Sequence, residues 1–338
     1  MFPARSPRRR WIAVLIGLAV GVLVAEATLR LLDLPDRWLS EMAPYVVNEG
    51  GLVQQDPSLL YRPRPGHCAD CRDHDGPWTD VPRPITVVSP GIRRAAPQTP
   101  GAFRILAMGG SNTFGAETAD GNTWPELLEA RLQGGQRPVE VWNHGVSGWE
   151  TRQKVAALRE LIPQVRPDAI LLQLHNLGPR FLLERSDARA YAAADPTLLN
   201  DWLPGTPPVG TSLRAGFDHI ALARFVVYAV ERQRRARNPE AGLPPRTIAG
   251  AHERGLADLR QWLAEEPGVP ILVVIPVPGM QDRLPGALED VRALGLPMVE
   301  LGATPHGFGE EGDDIHPGAR VHAWYAEQLE GPVRAWLN

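Results

Sequence analysis

The stretch Arg104–Gly115, RILAMGGSNTFG, decides how the chain is read. Ile105 to Met108 is a short apolar run without polar alternation, as a strand buried on both faces requires. It leads directly into Gly109-Gly110-Ser111. Two glycines allow a sharp turn and close approach of backbone or substrate, and they set the Ser111 hydroxyl just past the strand. No Gly-Lys-Ser/Thr follows at P-loop spacing, so a phosphate cradle of that kind is excluded. On this local pattern Ser111 is either a nucleophile or the cap of the next helix.

The pattern continues from residue 102 onward. Further strands are expected at Val139–Trp142, Ala169–Leu174, Ile271–Val277 and Met298–Leu301. Helical periodicity covers Trp124–Leu132, Arg152–Ile162, Ile220–Arg235, Ile248–Ala264, Gly286–Leu294 and Ala319–Trp336. Apolar strands alternating with helices predict an α/β fold, with a central parallel sheet of about five strands between helical layers. A sheet of this kind binds ligands beyond the carboxyl ends of its strands. The chemically capable residues fall there: Ser111 after the first strand, Asn143 to Gly148 after the second, His175 and Asn176 after the third, and Asp313 to His316 after the last.

Composition narrows the options. The 338 residues, 43% hydrophobic and 22% charged, are ordinary for a globular chain and enough for a large core. A net charge of −4 gives no basic footprint for nucleic acid. Lys154 is the only lysine, and the 34 prolines fit a compositional bias of the host. At the N-terminus, Arg5, Arg8, Arg9 and Arg10 precede an apolar run from Trp11 to Ala25, and no acid occurs before Glu26. One reading is a cleaved signal peptide, with Ala25-Glu26-Ala27 as the small-x-small site. The reading adopted is an uncleaved anchor to about Leu32, with Glu26 and Arg30 paired at i and i+4. Either reading sends the body across the membrane by the positive-inside rule, to the extracytoplasmic side of an inner membrane. The expected organisation is an anchor over 1–35, a Pro/Gly-rich juxtamembrane segment over 36–101 with one or two short strands, and a catalytic domain over 102–338. Cys68 and Cys71 are the only cysteines. In an oxidising compartment a local disulfide is expected; a metal site with His67 or His74, or a redox pair, lacks the partner motifs it would need. No metal and no cofactor is expected.

A serine becomes a useful nucleophile when a neutral imidazole accepts its proton and a carboxylate holds that imidazole. Asp313 and His316, at a loop-to-helix junction before Pro317, have a spacing that lets the carboxylate fold back on the ring, with Asp314 as a competing carboxylate. The same segment also reads as a plain helix N-cap. Acyl transfer further needs donors aimed at an oxyanion: the Ser111 and Gly148 N–H groups and the Asn176 amide are the candidates. His144 and His175 follow strands, and structural roles are expected for both; His219, His252 and His322 are expected to cap helices or face solvent.

Taken together, GGSNTFG, NHGVSGW and the Asp-x-x-His of Asp313 to His316 resemble the blocks of the SGNH/GDSL hydrolase superfamily, from about Gly101 to the C-terminus. The basic-then-apolar start and the LYRPRPG segment look like its membrane-anchored bacterial members. In the third block, LLQLHNLGPR, the asparagine falls one position early relative to the family pattern. The resemblance implies a flavodoxin-like three-layer α/β/α sandwich and metal-free ester chemistry with Ser111, His316 and Asp313 as triad. The substrate would be a small-molecule, carbohydrate or lipid ester, with water or a sugar hydroxyl as acyl acceptor. A catalytically inactive anchored scaffold is the alternative from another class.

Overall fold

A computed structural model of the chain describes residues 7–32, 34, 52–56, 59–69, 83–94, 99–116, 118–174, 220–223, 225–226, 229, 233, 237, 245–265, 268–276, 286–301 and 316–337. Ten strands are described: β1 (Val53–Asp56), β2 (Leu60–Pro63), β3 (Gly66–Cys68), β4 (Ile85–Val88), β5 (Ile92–Arg93), β6 (Phe103–Gly109), β7 (Val139–Gly145), β8 (Ala169–Gln173), β9 (Ile271–Ile275) and β10 (Met298–Glu300). The helices are α1 (Pro7–Leu32), α2 (Ser111–Phe114), α3 (Trp124–Leu132), α4 (Thr151–Val165), α5 (Pro245–Glu265), α6 (Ala287–Arg292) and α7 (Ala319–Arg334).

Eight strands form one sheet in the order β10-β9-β8-β6-β7-β5-β4-β3. The five from β6 to β10 are mutually parallel, and β5, β4 and β3 extend the β7 edge in antiparallel pairing. Why this segment becomes a two-sided sheet is visible in its burial. Leu106, Met108, Ile170, Leu172, Ile271 and Val273 point into one core, beneath α4, α5 and α6. Their neighbours Ile105, Ala107, Ala169, Leu171, Leu272 and Val274 point into the other, beneath α3 and α7. Successive side chains alternate between faces, so a strand apolar at every position fills two cores at once. The product is the expected three-layer α/β/α sandwich.

After β6 the chain pairs β7 on one side, then crosses to add β8 on the other. This reversal is the topological switch point of a doubly wound sheet, where the strand ends leave a crevice. Two boundaries differ from expectation. Asn143, His144 and Gly145 belong to β7 rather than to the loop after it, because they continue in register against Ala107, Met108 and Gly109. The segment before residue 102 holds five short strands instead of one or two. Three of them are sheet members, and β1 pairs β2 as a separate ribbon.

The expected apolar helix is present as α1. Its stretch Trp11–Leu32 has a mean hydropathy of 2.4 and is only 6% buried, long and apolar enough to cross a membrane. Glu26 and Arg30 pair on it at 2.7 Å, as the spacing predicts.

Candidate active site

Ser111 is the first residue of α2, immediately past the end of β6 and therefore at the switch point. It is buried, and its carbonyl accepts the Gly115 N–H at 2.7 Å to close the single helical turn. The neighbouring β7 must give way to this turn. A Cβ on Gly145 would lie 2.0 Å from the Phe114 nitrogen, a backbone atom that cannot swing aside. Gly145 is therefore a glycine of close approach: only hydrogen there lets α2 rest on the end of the sheet.

From the other side β8 supplies Gln173. Its Oε1 accepts the Gly110 N–H at 3.3 Å and, at closer range, the Thr113 hydroxyl. The main-chain carbonyl of Gln173 accepts in turn from Lys154 Nζ at 3.1 Å. Lys154 is wholly buried. Burial pushes its ammonium down to about 7, with Glu150 opposing.

Gly148 follows β7 in the turn that closes with Trp149 N–H to Val146 O at 3.1 Å. Its φ of +76° lies in the left-handed region that favours glycine. The Tyr61 hydroxyl, from β2, donates to the Ser147 carbonyl at 2.8 Å. In a trans peptide the C=O and the next N–H point in opposite directions, so this bond turns the Gly148 N–H away from Tyr61. The ribbon is fastened at two further points: Trp149 Nε1 donates to Tyr61 O at 3.1 Å, and Gln153 Nε2 donates to Leu59 O at 2.7 Å.

The loop after α2 is held by a charge that no sequence motif singled out. Arg93, on β5, is 1% exposed. Its Nη1 donates to the Phe114 and Gly115 carbonyls, both at 2.6 Å, and its Nη2 to Thr118 O at 2.6 Å. Nε reaches Asp120 at 3.3 Å, and the guanidinium lies 4.9 Å from the Phe114 ring centre. Five donors in a fixed plane suit this fan of acceptors, as lysine would not. Replacing Arg93 by methionine is expected to destabilise the fold by about 3–5 kcal/mol, the typical effect of removing one member of a buried charged cluster. A drop in the urea midpoint reads this out, and an unchanged midpoint would contradict it.

His316 is half-buried and stands just before α7, where Pro317 and Gly318 are buried. One turn further along α7, His322 is fully buried, and its Nδ1 accepts the Trp124 N–H at 3.0 Å, capping α3. Of the two expectations for His322, the capping one applies; it does not face solvent. Its imidazole is pushed down to about 3, first by burial and then by the charges of Arg93 and His316, against the Pro317 carbonyl. His144 has the expected structural role: Nδ1 lies 2.8 Å from Gly91 O and the ring meets Trp149 edge-on at 5.5 Å. Burial pushes it down to about 4, with the Gly91 carbonyl opposing and Arg62 adding to the shift. His252 is likewise buried, with Nε2 3.2 Å from Asp290.

Ser111 and Gly148 thus stand past the ends of two adjacent paired strands, linked by Val146 N–H to Gly109 O at 3.1 Å. His316 stands two residues before the N-cap of α7, the helix that packs on α3. Asp313, Asp314, His175, Asn176, His219 and Cys71 lie outside the described residues. Cys68 is disulfide-bonded. Among the described residues no group of three or more His, Cys, Asp or Glu could hold a metal ion. Arg93, Tyr61 and Gln173 are the supporting residues that pattern reading missed. Only Gln173 carried a signal, as the one polar residue in the run AILLQL.

No family model matches the chain, and no curated protein matches it. Solved structures do. It is similar to the psychrotrophic esterase EstA from Pseudoalteromonas sp., at 12% identity and a TM-score of 0.40 over 70% of this chain and 99% of that one. It is similar to the lipase/acylhydrolase from Enterococcus faecalis, at 13% identity and a TM-score of 0.39 over 69% of this chain and 95% of that one. AlinE4, an SGNH-hydrolase family esterase, matches at 17% identity and a TM-score of 0.35, over 70% of this chain and 98% of that one.

Proposed function

We propose that the chain is a serine ester hydrolase of the SGNH/GDSL type, anchored by α1 with its body on the extracytoplasmic side. The observation that carries this reading is the position of Ser111, on the first residue of a one-turn helix at the switch point of the sheet. The three sequence blocks support it, as does the Gly148 turn on the adjacent strand end.

In this reading the Ser111 hydroxyl attacks the ester carbonyl while His316 takes its proton, and Asp313 holds the imidazole in the right tautomer. The carbonyl oxygen becomes an oxyanion facing the N–H groups of Ser111 and Gly148 and the Asn176 amide. Collapse of the tetrahedral intermediate breaks the C–O bond, and His316 returns the proton to the departing alcohol. Water, activated by the same imidazole, then releases the acid from Ser111. Tyr61 acts as a positioning residue here, since it sets the plane of the Ser147–Gly148 peptide. Residues 1–35 form the anchor, and 102–338 form the catalytic body, braced by the strands that precede it.

Labelling of the full chain with a fluorophosphonate probe tests the proposal. A single adduct on the peptide that contains Ser111 is expected. A folded protein that stays unlabelled would overturn the serine mechanism and leave an anchored binding scaffold.

A further inference from the structure

Glu26, deep in the apolar helix α1, does more than pair with Arg30. Its carboxylate accepts the Ala221 N–H at 2.9 Å and the Leu222 N–H at 2.8 Å. These are the free donors at the start of a second helical segment, in which 221–223, 225–226, 229, 233 and 237 are described as helical. A carboxylate on two such donors is a charge-assisted cap aligned with the helix dipole. The start of this segment is therefore fastened to α1.

Exposure shows which medium suits that start. Among the described residues, the exposed large hydrophobic side chains all lie on α1, except Ile220 at 44% and Val226 at 53%. Ile220 immediately precedes the segment capped by Glu26, and Val226 belongs to it. The sequence runs apolar from Ile220 to Val230, interrupted only by Arg224, and then turns basic at Arg232, Arg234, Arg235 and Arg237. An apolar stretch followed by clustered arginine fits the boundary between acyl chains and anionic headgroups. Depth agrees. Glu26 precedes Leu32, the last residue of α1, by six positions, or about 9 Å of helix rise. A cap placed there sits in the outer leaflet rather than in bulk water.

We propose that the segment starting at Ala221 is a second membrane element: its capped start lies in the outer leaflet beside α1, and the arginines that follow in the sequence meet anionic lipid phosphates. This rests on the reading of α1 as a membrane anchor. It assigns Glu26 a specific task, since an acid at that depth is tolerated where it is paired and capped. It also brings the face of the protein that carries this segment down onto the lipid surface, where a bilayer-borne ester is within reach.

The test uses the full chain in vesicles of phosphatidylcholine with a minor share of phosphatidylglycerol. Single variants Leu18→Cys and Val226→Cys are labelled with an environment-sensitive fluorophore and exposed to lipids spin-labelled near the headgroup and along the chain. The expected result is a blue shift and quenching at both sites, deepest at Leu18 and shallow at Val226. Quenching at Leu18 with a water-like, unquenched signal at Val226 would overturn the proposal while the anchor stands. Loss of quenching at both sites would remove the anchor and the proposal with it. Reversing Arg234 and Arg235 to Glu is expected to weaken the Val226 quenching and leave Leu18 unchanged; an unaltered Val226 signal would overturn the headgroup contact.

Discussion

Ser111→Ala is expected to lower ester turnover by about four to six orders of magnitude while leaving the fold intact. In the proposed mechanism the loss is large because the hydroxyl forms the covalent bond, and alanine has no atom that can form it. The fold survives because Ser111 serves α2 through its main chain. Its carbonyl accepts from Gly115 N at 2.7 Å and Ala116 N at 3.3 Å, and alanine keeps both. Turnover of a short-chain aryl ester, measured beside the thermal midpoint, separates the two effects. Unchanged turnover would end the serine mechanism, whereas a collapsed midpoint would instead mean that the side chain holds the turn together.

The second large effect is on stability in acid. His144 and His322 are buried neutral and are held down to about 4 and about 3 respectively. In the unfolded chain both return to about 6.5. As pH falls below that value the unfolded state takes up protons that the folded state refuses. Stability present above about pH 6.5 is therefore lost progressively as pH drops towards the folded values. Each pH step of one between the unfolded and folded values is worth about 1.4 kcal/mol per ring. The two rings together withdraw up to about 8 kcal/mol, comparable to the whole stability of an ordinary domain. Lys154 does not enter this window. Its folded value of about 7 affects stability only as pH rises above it. Urea midpoints are expected to fall steeply between about pH 6.5 and about pH 4. His322→Asn, which keeps an acceptor for the Trp124 N–H, is expected to make that slope shallower; an equal slope would assign the acid sensitivity elsewhere.

The part of the molecule that the sequence made legible was the part written in local periods. The central strands β6, β8 and β9 each carry an unbroken apolar run, because each must fill two cores, and that pattern is hard to mistake. Ser111 could be placed for the same reason: a glycine pair directly after such a strand marks its end and the sheet edge. The N-terminal strands were obscure because they are two to four residues long and bounded by Pro and Gly, too short for any period to register. Arg93 is one of many arginines, and what distinguishes it is a partner set on α2 and its following loop that no spacing rule connects to β5. Tyr61 and Ser147, separated by 86 positions, meet only because the ribbon folds across the β7 turn. Gly145 is expected just past the second strand, and it is instead the last residue of β7, whose missing side chain makes room for a helix. Asp313 and Asn176, chosen from their spacing and their places after strands, lie outside the described residues.

Lys154 leaves the folded chain with an unusual chemical surface. It is the one side-chain amine in the sequence, and it lies sealed between α4 and the end of β8. A reagent that acylates amines therefore meets guanidinium after guanidinium on the intact molecule and no lysine at all. Every modified Lys154 records a moment when the contact between α4 and β8 was broken. The chain thus carries its own clock for local opening, at a single mass-addressable atom, hydrogen-bonded to the strand that also supports the turn of Ser111.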